Sequence, residues 1–149
     1  MVWLHLMADL TPPELLYDFL IIVFFITAKV NKMDLNQAID KHTEWKVKLR
    51  SAISKEESLD VETISKDNCC DLGKWLHGDS KVKLSKFASH SDCIAKHAEF
   101  HREAGNVAKA INAKKYTEAE SMLSASSSYS AASNAVGVAI RRLKKEASL

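Results

Sequence analysis

From Met33 onward, apolar and polar residues alternate with the period of a helix. Leu35, Ile39, His42, Leu49 and Ile53 fall on one face, with Trp45 beside it, and predict a first helix over residues 34–54. A polar stretch from Lys55 to Asp60 follows. A shorter helix is then predicted from near Ser65 to Gly78, where glycine suits a left-handed cap. It carries Cys69, Cys70, Leu72, Gly73, Trp75 and Leu76. Beyond a basic connection through Lys81, Lys83 and Lys86, His90, Ile94, His97, His101, Ala104, Ala108 and Ile111 recur at steps of three and four, the mark of a third helix. Residues 112–116 form a turn. Thr117, with Glu120 three residues on, makes a capping box that opens a fourth helix. Its face of Ala119, Met122, Ser126, Tyr129, Ser133, Val136, Ile140 and Leu143 runs to near the C-terminus. The Ser/Ala-rich stretch from Ser121 to Ala135 is therefore read as helix with small side chains rather than as a linker. Short links between amphipathic helices make neighbours antiparallel, so the predicted fold is all-α: an up-and-down four-helix bundle with one shorter helix.

The first 32 residues depart from this pattern. Their apolar run from Phe19 to Ala28 is shorter than a spanning helix needs, and Asp9 and Glu14 precede it where a signal peptide would carry positive charge. A membrane segment is not expected. The extension is read as an extra packing helix or as sequence upstream of a start at Met33, giving residues 1–32 as an extension and 33–149 as the bundle domain. A chain of 149 residues suits a single core. Four Gly and two Pro supply too few breakers for a sandwich or barrel. A formal net charge of +2, from 21 Lys and Arg against 19 Asp and Glu, lacks the electrostatic footprint of a nucleic-acid binder. Three Cys cannot complete a disulfide set, and two of them are adjacent, which favours reduced thiols or metal ligands in the cytoplasm.

The chemistry lies where polar donors interrupt apolar faces. His97 and His101 are four residues apart, so both imidazoles share one face of the third helix about a turn apart, a common way for one helix to offer a metal two ligands. The spacing alone is weak evidence, because a histidine on an apolar face is more often a hydrogen-bonded core residue. Both, however, sit in a stripe otherwise made of Ile and Ala, where an unpaired imidazole costs roughly 1–3 kcal/mol. His42 interrupts the first helix in the same way, and Cys70 sits among Leu72, Trp75 and Leu76. Three helices thus each direct a soft or borderline donor inward. Three His and one thiolate make a closed tetrahedral zinc site, one ion per chain.

These residues resemble the bacterial chemoreceptor zinc-binding domain, a family found at the ends of soluble chemoreceptors and on some diguanylate cyclases. The resemblance runs from about Met33 to Glu146. It rests on His42-Thr43-Glu44-Trp45, on Cys70-Asp71-Leu72-Gly73-Lys74-Trp75-Leu76, and on His97-Ala98-Glu99-Phe100-His101, with the cysteine motif the most specific. It implies a four-helix bundle binding one Zn2+ through His42, Cys70, His97 and His101. It also implies a regulatory rather than enzymatic role: zinc or hypochlorite sensing upstream of chemotaxis or cyclic-di-GMP signalling, with a chemoreceptor or diguanylate cyclase as partner and a homodimer as a further expectation. Two features depart from the pattern. Cys69 directly precedes the motif cysteine, although one helical step would turn its side chain away by about 100°. The first 32 residues are also too short to hold an output domain.

Other conspicuous residues have plainer readings. Trp45 and Trp75 are expected to pack in the core and shield the site as a consequence. Cys93, His77 and His90 are expected on the surface or in packing. Gly73 costs up to about 1 kcal/mol relative to Ala inside a helix, which makes sense if another helix passes close by. Of the alternative functions, a hemerythrin-like di-iron site needs His-x-x-x-Glu spacing, which no His here has. A thiol hydrolase needs a cleft and oxyanion donors that a bundle interior does not provide. A purely structural zinc that stabilises an interaction domain is the remaining alternative.

Overall fold

The computed structural model describes residues 33–149, and the expectations for the N-terminal extension lie outside the described residues. The described residues are all helical and contain no strand. Asp34 opens the first helix, α1 (Leu35–Lys55), its carboxylate accepting from the Asn36 and Gln37 amides at 2.9 and 3.1 Å. Glu56 closes it in the left-handed conformation. Next come α2 (Val61–Ser65), α3 (Asp71–His77) and α4 (Asp79–Leu84). The long α5 (Ala88–Asn112) follows, and then α6 (Tyr116–Met122) and α7 (Ser128–Glu146).

Cross-links between helix ends give the directions. Lys144 near the end of α7 bonds Asn36 at the start of α1, and Glu146 accepts from the Ser89 amide at the start of α5. At the opposite end, Asn112 of α5 exchanges two 2.8 Å bonds with the backbone of Leu59, just past α1. Helices α1 and α5 therefore run the same way, and α7 runs against both. The stretch from 61 to 84 returns between α1 and α5, which is the up-and-down bundle. The wall predicted as one short helix is built from three. Helix α5 is the hub, packing against α7, α2, α6, α1 and α3. Its core face of Cys93, Phe100, Ala104, Val107, Ala108 and Ile111 meets Tyr129, Val136, Ile140 and Leu143 of α7 and Leu49 of α1.

Three local expectations are corrected. The helix expected to start near Ser65 instead breaks: Lys66 and Cys70 are extended, and helix resumes only at Asp71. Gly78 takes φ −106°, ψ −107° between α3 and α4, so it joins two helices rather than capping one in the left-handed region. The fourth helix is also interrupted. Lys115, not Thr117, flanks the start of α6 with no side-chain cap, and the capping box does not form. Helix is lost at 123–127, leaving Ser126 exposed. There the Ser127 and Ser130 hydroxyls each donate to the Ser124 carbonyl at 2.7 Å, and Ser127 also accepts from the Ser130 amide to start α7. Serine competes with the helix for its own backbone groups, and the clustered serines here win.

Candidate metal centre

Three of the four candidate donors come from the faces on which the sequence placed them. His42 projects from α1 and His97 and His101 from α5, all buried. Cys70 does not lie on a helix. It is the N-cap of α3, in extended backbone (φ −82°, ψ 165°), with its Sγ accepting the Gly73 N–H at 3.3 Å. This replaces the expected reason for Cys69 standing aside. The extended backbone sends successive side chains to opposite sides, and the Cys69 thiol contacts Asn68 Oδ1 instead.

One nitrogen from each histidine and the Cys70 sulfur lie within 4.8 Å of one another. His97 Nε2 is 3.2 Å from both Cys70 Sγ and His101 Nε2. Around a tetrahedral zinc, with bonds near 2.3 Å to sulfur and 2.0–2.1 Å to nitrogen, ligand atoms stand about 3.3–3.6 Å apart, so the two His97 contacts are already near that spacing and the widest pair would close by about 1 Å.

Two backbone carbonyls set the tautomers. His42 Nδ1–H donates to the Ala38 carbonyl at 2.6 Å, and His101 Nδ1–H donates to the Ile64 carbonyl of α2 at 2.7 Å. A carbonyl can only accept, so both Nε2 atoms carry bare lone pairs into the cluster. His42 Nε2 has no hydrogen-bond partner among the described residues, and neither has His97 Nδ1. This excess of lone pairs over hydrogens in a buried space is unfavourable without a cation, and a carbonyl accepting from Nδ1–H is how metal-bound imidazoles are held in orientation. Burial holds all three imidazoles below the ordinary histidine range, His97 at about 2 with its histidine neighbours adding to the effect, so each is in its neutral, ligating form. Burial pushes the Cys70 thiol up, opposed by the Gly73 and Leu72 N–H groups. A bound cation favours the thiolate and would displace that proton. The donor set suits zinc and, lacking a carboxylate, does not suit a hemerythrin-like di-iron centre.

The sequence model of the chemoreceptor zinc-binding domain family matches residues 42–108, a span that begins at His42 and takes in all four donors. That span is 67 of the 149 residues, and over it the chain is similar to this family. The family is regulatory rather than catalytic. Comparison with curated proteins and with solved structures returns no match. No helix among the described residues is long and apolar enough to cross a membrane.

The other residues singled out in the sequence fall as follows. Trp45 and Trp75 are half-buried against the core. Cys93 is fully buried, with its thiol pushed up to about 12 by burial. His77 is exposed and sits 2.8 Å from Asp67. His90 is buried, donating from Nε2 to the Ser80 hydroxyl at 2.9 Å, which itself donates to the Leu76 carbonyl. Gly73 does mark a close approach, but of the 66–70 loop rather than another helix: a Cβ there would overlap the Asp67 carbonyl oxygen. Two supports escaped the sequence reading. Gly105 lets α2 lie against α5, where a Cβ would overlap the Ser65 hydroxyl, and the Ile64 carbonyl next to Ser65 thereby reaches His101. A glycine inside a strongly periodic helix was the available signal for the first; nothing in the sequence marks a carbonyl.

Proposed function

We propose that His42 Nε2, Cys70 Sγ, His97 Nε2 and His101 Nε2 hold one zinc ion per chain, and that the chain is a zinc-dependent sensory module in the cytoplasm. On this reading it acts on bacterial chemotaxis or cyclic-di-GMP signalling through a chemoreceptor or a diguanylate cyclase. The observation that carries the reading is the orphaned His42 Nε2, aimed with a second bare Nε2 and a thiol at one buried centre. Zinc would supply a single cation satisfying four donors from three parts of the chain, and so make the packing of α1, α3 and α5 depend on metal. The family that the chain is similar to supports the sensory role, since its description pairs chemoreceptors with zinc. Elemental analysis of the purified chain tests it: about one zinc per chain is expected by the closed four-donor arithmetic. Iron in its place, or no metal after purification in the presence of zinc, would refute the assignment.

A further inference from the structure

A cavity of about 380 Å³ adjoins the metal centre, and its lining is unequal. His42 and Cys70 are part of its wall; His97 and His101, both on α5, are not. The same wall includes Lys41 and Asp71, each the sequence neighbour of one cavity-facing donor, and Lys41 Nζ reaches Asp71 Oδ2 at 2.8 Å. That ion pair ties α1 directly to α3, the two elements whose donors face the cavity.

We propose that this cavity is the portal through which zinc exchanges, and that the Lys41–Asp71 pair is the bar across it. The inference rests on the zinc reading above. A bound water takes up about 30 Å³, so the space is ample for a partly hydrated cation or for the donor group of an incoming chelator. The donors on the portal, His42 and Cys70, give way first. The pair on α5, which is buried and off the cavity wall, with His101 also held by the Ile64 carbonyl, lets go last. Exchange is ligand substitution: each bond from the ion to a donor of this chain breaks as one to the incoming ligand forms, and the freed thiolate takes a proton from water. Lys41 and Asp71 act as positioning residues. While paired, they hold α1 against α3 and cancel each other's charge at the mouth. Separated, they leave α3 attached to the rest of the bundle by fewer cross-links.

The test follows zinc transfer from the full-length, zinc-loaded chain to 4-(2-pyridylazo)resorcinol by absorbance, after zinc content and helicity have been measured for each variant. Lys41→Asp should speed release about two- to fivefold, the range that an exposed ion pair can control. The double variant Lys41→Asp with Asp71→Lys restores the pair in reverse and should return the rate to that of the parent. Gln37→Trp, which fills part of the cavity from an exposed wall position, should slow release. Arg50→Ala breaks an ion pair of similar length from α1 to Glu120, away from the cavity, and should leave the rate unchanged. A parent that binds zinc with rates indifferent to Lys41→Asp and Gln37→Trp would overturn the portal and leave the zinc site standing. Failure of the reversed pair to restore the rate would overturn the bar. A parent that binds no zinc would overturn the reading beneath both.

Discussion

Replacing Gly73 by alanine sets two physical effects against each other, and the structure decides between them. Alanine favours a helix over glycine by up to about 1 kcal/mol, which alone would stabilise α3. Against this, a Cβ at Gly73 would overlap the Asp67 carbonyl oxygen and lie 3.1 Å from Asn68 Cα. These are backbone atoms and cannot swing aside as a side-chain tip would. The 66–70 loop must retreat by on the order of an ångström to reach ordinary contact distance. Overpacking of this kind costs up to about 3 kcal/mol, and the obstruction by backbone places Gly73→Ala at that end. The net loss is then about 2 kcal/mol, or a fall in Tm of roughly 8 °C for a domain of this size. Because the displaced loop carries Cys70, whose sulfur accepts the Gly73 N–H, chelator-driven zinc release should also accelerate. Gly137→Ala in α7 is the matched control. Among the described residues its Cβ would meet only the Arg141 guanidinium at an ordinary 3.7 Å, so the helix preference prevails and Tm should rise. Thermal melts of the zinc-loaded proteins by circular dichroism, with a zinc dye for release, give both readouts. A Gly73→Ala protein as stable as the parent, with unchanged zinc release, would refute the close-approach argument.

Three further outcomes are expected. Cys70→Ala should abolish most zinc binding measured by elemental analysis while Cys69→Ala retains it, since only Cys70 lies with the three imidazoles; equal losses would contradict the proposed ligand set. Burial holds His90 below the ordinary histidine range, so the unfolded chain takes up a proton first as pH drops through about 6.5 and the stability owed to neutral His90 is lost below that pH. The stability gap between the parent and His90→Gln in urea should therefore narrow from pH 7.5 to 5.5, and a gap independent of pH would refute the buried-neutral assignment. On chelation of zinc, hydrogen exchange should rise first across residues 61–84 and last in the central part of α5; uniform loss of protection would show that the metal supports the bundle as a whole.

Most of the long helices could be read from the chain because each presents many turns of one period to the core. Leu35, His42 and Leu49, or His97, His101, Ala104 and Ala108, recur often enough for burial to outweigh local preference. The donors were legible for a related reason, since an imidazole in an apolar stripe is an exception that needs a partner. The 61–84 wall was not legible, because its elements are five to seven residues long and are bounded by local hydrogen bonds rather than by a period. Asp60 caps α2 through the Thr63 amide. Cysteine is outside the usual set of N-caps, so Cys70 gave no sign that it begins a helix rather than lying inside one. The break at 123–127 was masked because Met122, Ser126 and Tyr129 keep the period while Ser127 and Ser130 bond to the backbone.

This division of the fold bears on how the domain could report its metal. Helices as short as α2, α3 and α4 are not stable alone in water, because the cost of nucleation is spread over too few bonds. Their order comes from the bundle: Ile64 and Leu72 in the core, Ser65 against Gly105, the Ile64 carbonyl on His101, the Lys41–Asp71 pair, and Cys70 at the metal centre. Two of these ties meet at the four-donor cluster. Helix α5, by contrast, is long, carries a buried face along its length and packs on α7 through Tyr129, Val136, Ile140 and Leu143, none of which supplies a donor. Removing a cation from the cluster therefore takes little from the α5–α7 half and much from the 61–84 wall. On the proposed reading, a centre whose one sulfur donor sits at the start of the least self-sufficient wall changes that wall's order with the state of the metal.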